Sequence, residues 1–464
     1  MKQEDYARLE ESIAWMESQA RSYGLDFFDM RYEICPADVV YTIAGFGMPT
    51  RYSHWSFGKQ YYRQKLDFDL GLSRIYELVV NNDPCFAFLL DSNTVLQNEM
   101  IVAHVLGHSD FFKNNARFRY TNRRMVDSMA ASAERFRKYE EMYGINRMEE
   151  ILDAALSIQE HVDASWRSRA HVPEQEVKKA GRSPYDDLWS IGQPKSEENS
   201  TRSRIADVIR NERSTGATRL HSPEPGHSKD LLMYIVEHSR HLEDWERDVI
   251  SVVHDEMLYF WPQLETKIMN EGWATYWHTE LMQAMDLDGQ DAIDFAQLTA
   301  GVTQPNRYTL NPYNVGLAIW RDIERKYGRE KMFEVRECES DTSFLRNYLN
   351  QDVVDECDLY LYEKRGIDWV VVERDYEVIR DILVQQRTNG GFPTLYVTNE
   401  NPKDPRGLRI THSFEGQELD VEYIERTLPN VYRLWGQPVT LQTLVNGRPV
   451  EFVFDGTTTQ RKAV

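Results

Sequence analysis

The chain has 464 residues, 41% hydrophobic and 12% aromatic with 11 Trp and 25 Tyr, enough apolar mass for a large core plus a smaller module and too much for a disordered polymer. Its net charge of −21 excludes general attraction to nucleic acid or to an anionic membrane surface. Four scattered cysteines, Cys35, Cys85, Cys338 and Cys357, form no C-x-x-C pair and read as reduced thiols in a reducing compartment.

The opening MKQEDYARLEESIAWM mixes charge with apolar residues and lacks the continuous apolar run of a secretion signal. No later stretch approaches the ~20 apolar residues of a membrane helix, so a cytoplasmic protein without a membrane span is expected. Leu9, Ile13 and Met16 recur at helical spacing and predict a helix over 4–24, stopped by Gly24. From Phe27 to Trp55 the chain is β-rich and Gly-punctuated, which predicts short strands or an extended arm. PCFAFLL, residues 84–90, reads as a buried strand or an apolar helical turn. Asp91, Ser92 and Asn93 then supply capping chemistry for the helix in TVLQNEMIVAHVLGHSDFF. Residues 113–124, KNNARFRYTNRR, carry Lys113, Arg117, Arg119, Arg123 and Arg124; a solvated positive face is the plain reading and an anion site the sharper one. Amphipathic helices continue to 164. Residues 166–228 are rich in Ser, Pro, Gly and charge, a weakly structured excursion for which disorder or a surface wrap ranks ahead of a lid.

Helical pattern resumes in DLLMYIVEHSRHLEDWERDVISVVHDEMLYF and is expected to break at Pro262. A second helix from Leu264 to Met285 sets Glu271, Thr275, His278 and Met282 on one stripe. Gly272 inside it costs about 1 kcal/mol against alanine, which points to close approach of another element or a ligand. Further helices are expected in NPYNVGLAIWRDIERKYG and DWVVVERDYEVIRDILVQQR. After Asn389-Gly390-Gly391 the pattern alternates through TLYVTN and GLRITHSF, passes a short helix near VEYIERTL, and ends in a hairpin with Asn446-Gly447 at its turn. The expected class is α+β: a large, mainly α-helical domain over 1–389 with a short β-rich N-terminal region, and a small β-containing module over 390–464.

The chemistry-bearing residues fall on two of these helices. His104 and His108 in HVLGH are four apart, and Glu271 and His278 in NEGWATYWH are seven apart, so each pair shares a helix face. Four such groups can hold a divalent metal, zinc first; iron is second, since two histidines and one carboxylate with open positions also suit non-haem iron. The competing reading is ordinary packing of histidines on apolar helices. In the zinc-peptidase helix H-E-x-x-H a glutamate follows the first histidine as general base, whereas Val105 stands there here. Glu99, Asp110, Asp255 and Glu256 are the substitutes near in sequence, although Glu99 lies about 140° round the helix from His104. The general base is therefore unassigned. Asn270 to Ala274, NEGWA, resembles the third-ligand helix of gluzincin-type zinc peptidases, in which a downstream glutamate completes the metal site. No G-x-S-x-G elbow, Walker loop or G-x-G-x-x-G after a strand is present. HWSFGK (54–59) and NPYNVG (311–316) read equally as pocket linings and as tight turns beside core aromatics.

HWSFGK, GHSDFFKNN (107–115), TKIMNEGWATYWH (266–278) and NPYNVG together resemble the stage V sporulation protein R (SpoVR) family. The resemblance spans essentially the whole chain, including the C-terminal β module that the family carries, but not 166–228. It implies a cytoplasmic protein of a spore-forming bacterium needed to form the spore cortex, a modified peptidoglycan layer. It implies no reaction and no catalytic residues. Two classes stay open: a metal-dependent hydrolase or amide-processing enzyme on a cytoplasmic substrate, and a non-enzymatic adaptor that binds a protein partner through its acidic, aromatic-rich surface. In the first, His104, His108 and Glu271 are ligands and His278 is a fourth ligand or an acid/base.

Overall fold

A computed structural model describes residues 3–69, 78–165, 228–306, 309–365, 368–398 and 407–464; the polar excursion lies outside them except for Ser228. The chain opens with α1 (Gln3–Ser22), β1 (Met30–Cys35), α2 (Ala37–Phe46) and α3 (Trp55–Asp69), then β2 (Leu78–Val80), β3 (Cys85–Leu90), α4 (Val95–Asn114), α5 (Met125–Tyr143) and α6 (Ile145–Leu156). After α7 (Leu231–His238) come α8 (Asp244–Glu265), α9 (Lys267–Ala284), α10 (Gly289–Val302), α11 (Pro312–Tyr327), α12 (Arg329–Cys338), α13 (Asp341–Tyr348) and α14 (Gln351–Glu356). The hairpin β4 (Leu361–Arg365) and β5 (Asp368–Glu373) and helix α15 (Tyr376–Arg387) follow. Last are β6 (Thr394–Thr398), β7 (Leu408–Ser413), α16 (Val421–Trp435), β8 (Val439–Val445), β9 (Arg448–Phe454) and β10 (Thr459–Ala463). Two units divide the chain: Met1–Leu156 with Glu243–Phe392, and Ser157–Leu242 with Pro393–Val464. The class is α+β as expected, and no helix among the described residues is long and apolar enough to cross a membrane.

In the first unit α4 and α9 are buried nearly all round, which is why neither shows a polar face in sequence. They pack on each other, with α11 on the far side of α9 and α1 against α4. Trp273, Trp277 and Trp320 lie fully buried here, Trp320 meeting Trp273 and Phe344 at 4.9 and 4.8 Å between ring centres. PCFAFLL is the central strand of a three-stranded sheet of order β1-β3-β2. Helix α4 starts one residue later than expected. Thr94 caps it, accepting from Gln97 N at 3.2 Å while Gln97 Oε1 accepts from Thr94 N at 3.0 Å.

Two expectations change. Within 27–55 only β1 is a strand, and α2 occupies the Val- and Tyr-rich stretch after Pro36. Val40 and Ile43, one helical turn apart, bury in a cluster with Val80, Phe88 and Leu90, and that packing overrides the β preference of the branched residues. Pro262 does not break α8, which runs on to Glu265. The ring holds a helical φ and forfeits one N–H bond near the helix end, so the chain turns at Thr266 instead.

The second unit carries a five-stranded sheet of order β10-β9-β8-β7-β6, with β7 and β8 parallel across α16 and the other pairs antiparallel. Asn446 and Gly447, at φ 52° and 70°, make the left-handed turn the sequence signalled. Strand β10 had no signal, because TQRKA is a largely exposed edge strand without alternation. His412 on β7 is buried and bonds Thr443 Oγ1 at 2.9 Å; burial holds its pKa at about 4. Burial, then the nearby His412 and Lys229, hold His161 at about 4 as well. Both rings are neutral when folded and take up a proton near 6.5 when unfolded, so their stability is fully present above 6.5 and lost as pH falls toward 4. At pH 5 the loss is about 2 kcal/mol per histidine. Denaturant unfolding at pH 7 and pH 5 should show a smaller loss for His412→Gln than for the unsubstituted chain; equal losses would refute the assignment.

Candidate metal centre

Small residues let the two central helices touch. A Cβ on Gly107 would sit 2.7 Å from Ala274 Cα, so α4 and α9 meet backbone to backbone at that point. Gly107 lies between His104 and His108, and Ala274 lies between Glu271 and His278. The crossing therefore turns all four side chains toward one region, and all four are buried.

His104, His108 and Glu271 each offer a ligand atom, and these atoms lie within 4.8 Å of one another. Glu271 Oε2 is 3.5 Å from His108 Nε2 and 3.8 Å from His104 Nε2. Its other oxygen accepts from Lys267 Nζ at 2.7 Å, one helical turn earlier. His108 Nδ1 donates to Asn270 Oδ1 at 2.9 Å. That bond puts the ring proton on Nδ1 and turns the Nε2 lone pair toward the Glu271 carboxylate. Two lone-pair atoms facing each other in a buried site call for a cation between them, a metal ion or a second proton on the ring. The donor set of two imidazoles and one carboxylate, with a partner fixing the far nitrogen of each ring, fits a divalent metal.

His278 stands beside this group. Its Nδ1 is 3.0 Å from His104 Nδ1, so one ring donates and the other accepts. Burial, then His104 and Arg321, hold the His278 pKa well below the usual histidine range, which leaves the ring neutral at pH 7. With a neutral His278 accepting at Nδ1, His104 would carry its proton on Nδ1 and leave Nε2 as a donor atom for metal. Burial tends to raise the Glu271 carboxyl. His104 and His108 beside it, and the nearby charge of Lys267, outweigh it and hold the group well below the usual carboxylate range.

The four carboxylates considered as general bases have other partners. Glu99 accepts from Ser12 Oγ at 2.7 Å and pairs with Arg8. Asp110 accepts from Arg336 Nη1 at 2.8 Å and Trp273 Nε1 at 2.9 Å, and burial pushes its pKa up to about 6. Glu256 accepts from Arg51 and Tyr52, and Asp255 is largely exposed beside His254. Val105 is fully buried. The basic run is spread among separate partners: Lys113 on Asp26, Arg117 on Glu265, Arg123 on Asn81 and Arg124 on Asp127.

HWSFGK begins α3. His54 Nδ1 is 2.7 Å from Ser56 Oγ and its Nε2 is 3.1 Å from Asp153 Oδ1, which also accepts from Trp55 Nε1 at 2.7 Å. NPYNVG serves the centre: Asn311 caps α11, Tyr313 lies 6.1 Å from the His104 ring, and Gly316 meets Gly272. The sequence assigned no role to Lys267 or Asn270, and it placed Tyr313 only within a run read equally as pocket lining or tight turn. The Lys267–Glu271 spacing of four was a readable signal; the other two depend on which helices become neighbours.

A protein-family model described as "SpoVR like protein" matches residues 3–392, and one described as "SpoVR-like C-terminal domain" matches 393–446. A curated relative, "Uncharacterized protein YcgB" of Escherichia coli (strain K12), is 26% identical over 94% of this chain and 91% of its own length. No solved structure matches.

Proposed function

The chain belongs to the SpoVR-like family, and from that premise we propose that it acts in formation of the spore cortex as a metal-dependent hydrolase or amide-processing enzyme on a cytoplasmic substrate. Family membership supports the sporulation-associated role. The observation that carries the chemistry is the buried His104, His108 and Glu271 group. His104 and His108 would hold the ion through Nε2 and Glu271 through Oε2, with Asn270 and His278 as the partners of the far ring nitrogens. Lys267 orients the carboxylate from its other oxygen. His278 is assigned to orienting His104, with a role as fourth ligand or acid/base as the alternative. A zinc ion held there would supply an acidified water and a Lewis acid for a substrate carbonyl. Iron is the second choice, on the same two-histidine, one-carboxylate set.

Elemental analysis of the protein, prepared without a metal-binding tag, tests this reading. About one equivalent of zinc or iron supports it. No metal, and none taken up on reconstitution, would overturn it and leave a non-enzymatic adaptor. That second reading draws on the exposed Trp55, Tyr62 and Leu66, which fall on one stripe of α3. Tyr62→Ser with Leu66→Ser should then abolish cortex formation, and Glu271→Gln should not.

A further inference from the structure

The first turn of α9 carries Lys267, Asn270 and Glu271, three groups of the centre, yet this helix has no N-cap of its own. Thr266 stands at the cap position with φ −129° and ψ 20° and makes no side-chain cap bond. Its hydroxyl is turned back to Pro262 O at 2.6 Å. The N–H groups of Ile268 and Met269, which an ordinary cap would satisfy, point into the protein interior. Asp341 answers both. Its Oδ2 accepts from Ile268 N and its Oδ1 from Met269 N, each at 2.9 Å, and the residue is 1% exposed. The carbonyl of Met269 is held in turn by Trp320 Nε1 at 3.0 Å.

We infer that Asp341, contributed by α13 more than seventy residues downstream, is a positioning residue of the metal centre: it caps α9 from outside and fixes the turn from which Asn270 and Glu271 project. The inference rests on the metal-centre reading. The geometry allows little substitution for it. Both carboxylate oxygens are used, and they bind successive N–H groups, so the pair defines the start and direction of the helix rather than one hydrogen bond. Asn270 follows Met269 directly and Glu271 comes next. A shift in this turn moves the acceptor that sets the His108 tautomer together with the carboxylate ligand. Asp341 itself touches neither the ligands nor any reacting atom.

Burial pushes the Asp341 carboxyl up to about 7, against the two N–H groups that favour its anion, so the test is made at about pH 8. Zinc affinity is measured by competition with a chromophoric chelator, alongside urea unfolding of the metal-free protein. Asp341→Asn keeps the shape but offers one acceptor in place of two. Val354→Ala truncates a buried side chain of α14 and serves as the stability control. The expected result is affinity weakened at least about tenfold in Asp341→Asn, and affinity within about twofold of the unsubstituted chain in Val354→Ala even though its unfolding midpoint falls. Equal zinc affinity in Asp341→Asn and the unsubstituted chain would overturn the inference, as would an equal weakening in both variants. Should Asp341→Asn not fold, Asp341→Ser, which retains one acceptor oxygen, reads the same ratio. An unsubstituted chain that binds no zinc is a separate outcome and removes the metal centre itself.

Discussion

On the proposed metal-centre reading, Glu271→Gln is expected to give a folded protein that takes up no metal, and His104→Ala to do the same at a greater cost in stability. Structural zinc sites bind with on the order of 12 kcal/mol, so removing one donor of three costs roughly 4 kcal/mol, about a thousandfold in affinity. The glutamine variant is the cleaner of the two. It keeps the volume of a side chain that is 8% exposed and removes the anion. Lys267, whose side chain is 52% exposed, can return its ammonium to water without leaving a buried charge unpaired. His104→Ala also deprives His278 Nδ1 of its partner inside the protein, which adds about 1–3 kcal/mol of instability. Metal content and melting temperature should therefore separate: near-complete metal loss in both variants, with the larger melting shift in His104→Ala. Equal metal content in Glu271→Gln and the unsubstituted protein would remove Glu271 from the ligand set.

Gly272→Ala has the second large expected effect, and its sign separates local propensity from packing. Helix propensity alone favours alanine by about 1 kcal/mol in the middle of α9. The close approach of α11 reverses this. A Cβ at 272 would stand 2.3 Å from Gly316 C, 2.4 Å from Gly316 Cα and 2.8 Å from Leu317 N, all backbone atoms that cannot rotate away. Relief requires α9 and α11 to separate, so the net loss should reach about 3 kcal/mol or prevent folding. Gly316→Ala, with Ile268 O only 2.2 Å from its Cβ, should behave alike. Gly144→Ala is no control for this, because its φ of 88° adds strain, whereas Gly301→Ala in α10 meets open space and should be neutral or stabilising. A Gly272→Ala protein that melts at or above the parent temperature would show that the helices are not in backbone contact there.

Much of the centre was legible in the chain because its signals are local. Spacings of four and seven put His104 with His108 and Glu271 with His278 on single helix faces whatever surrounds them. Gly272 announced a close approach by its cost to the helix. The Asn446-Gly447 hairpin and the alternation after 390 were readable for the same reason, since turn chemistry and period two are properties of short segments. Where a local rule met a packing demand, packing won: Val40 and Ile43 went into a helix, and Pro262 stayed inside one.

The sequence by itself determined the α+β class, the two helices that carry the candidate ligands and the faces on which they lie. Only the tertiary structure decided that the two faces meet, that α11 rather than a ligand lies against Gly272, and that Asn270 and His278 lie against the Nδ1 atoms of His108 and His104. It also decided that Glu99, Asp110 and Glu256 are committed to Arg8, Arg336 and Arg51. The physical reason is the range of the interactions: helix periodicity and turn preference act over a few residues, whereas a hydrogen bond from His108 to Asn270 or from Met269 to Asp341 exists only after distant segments have packed.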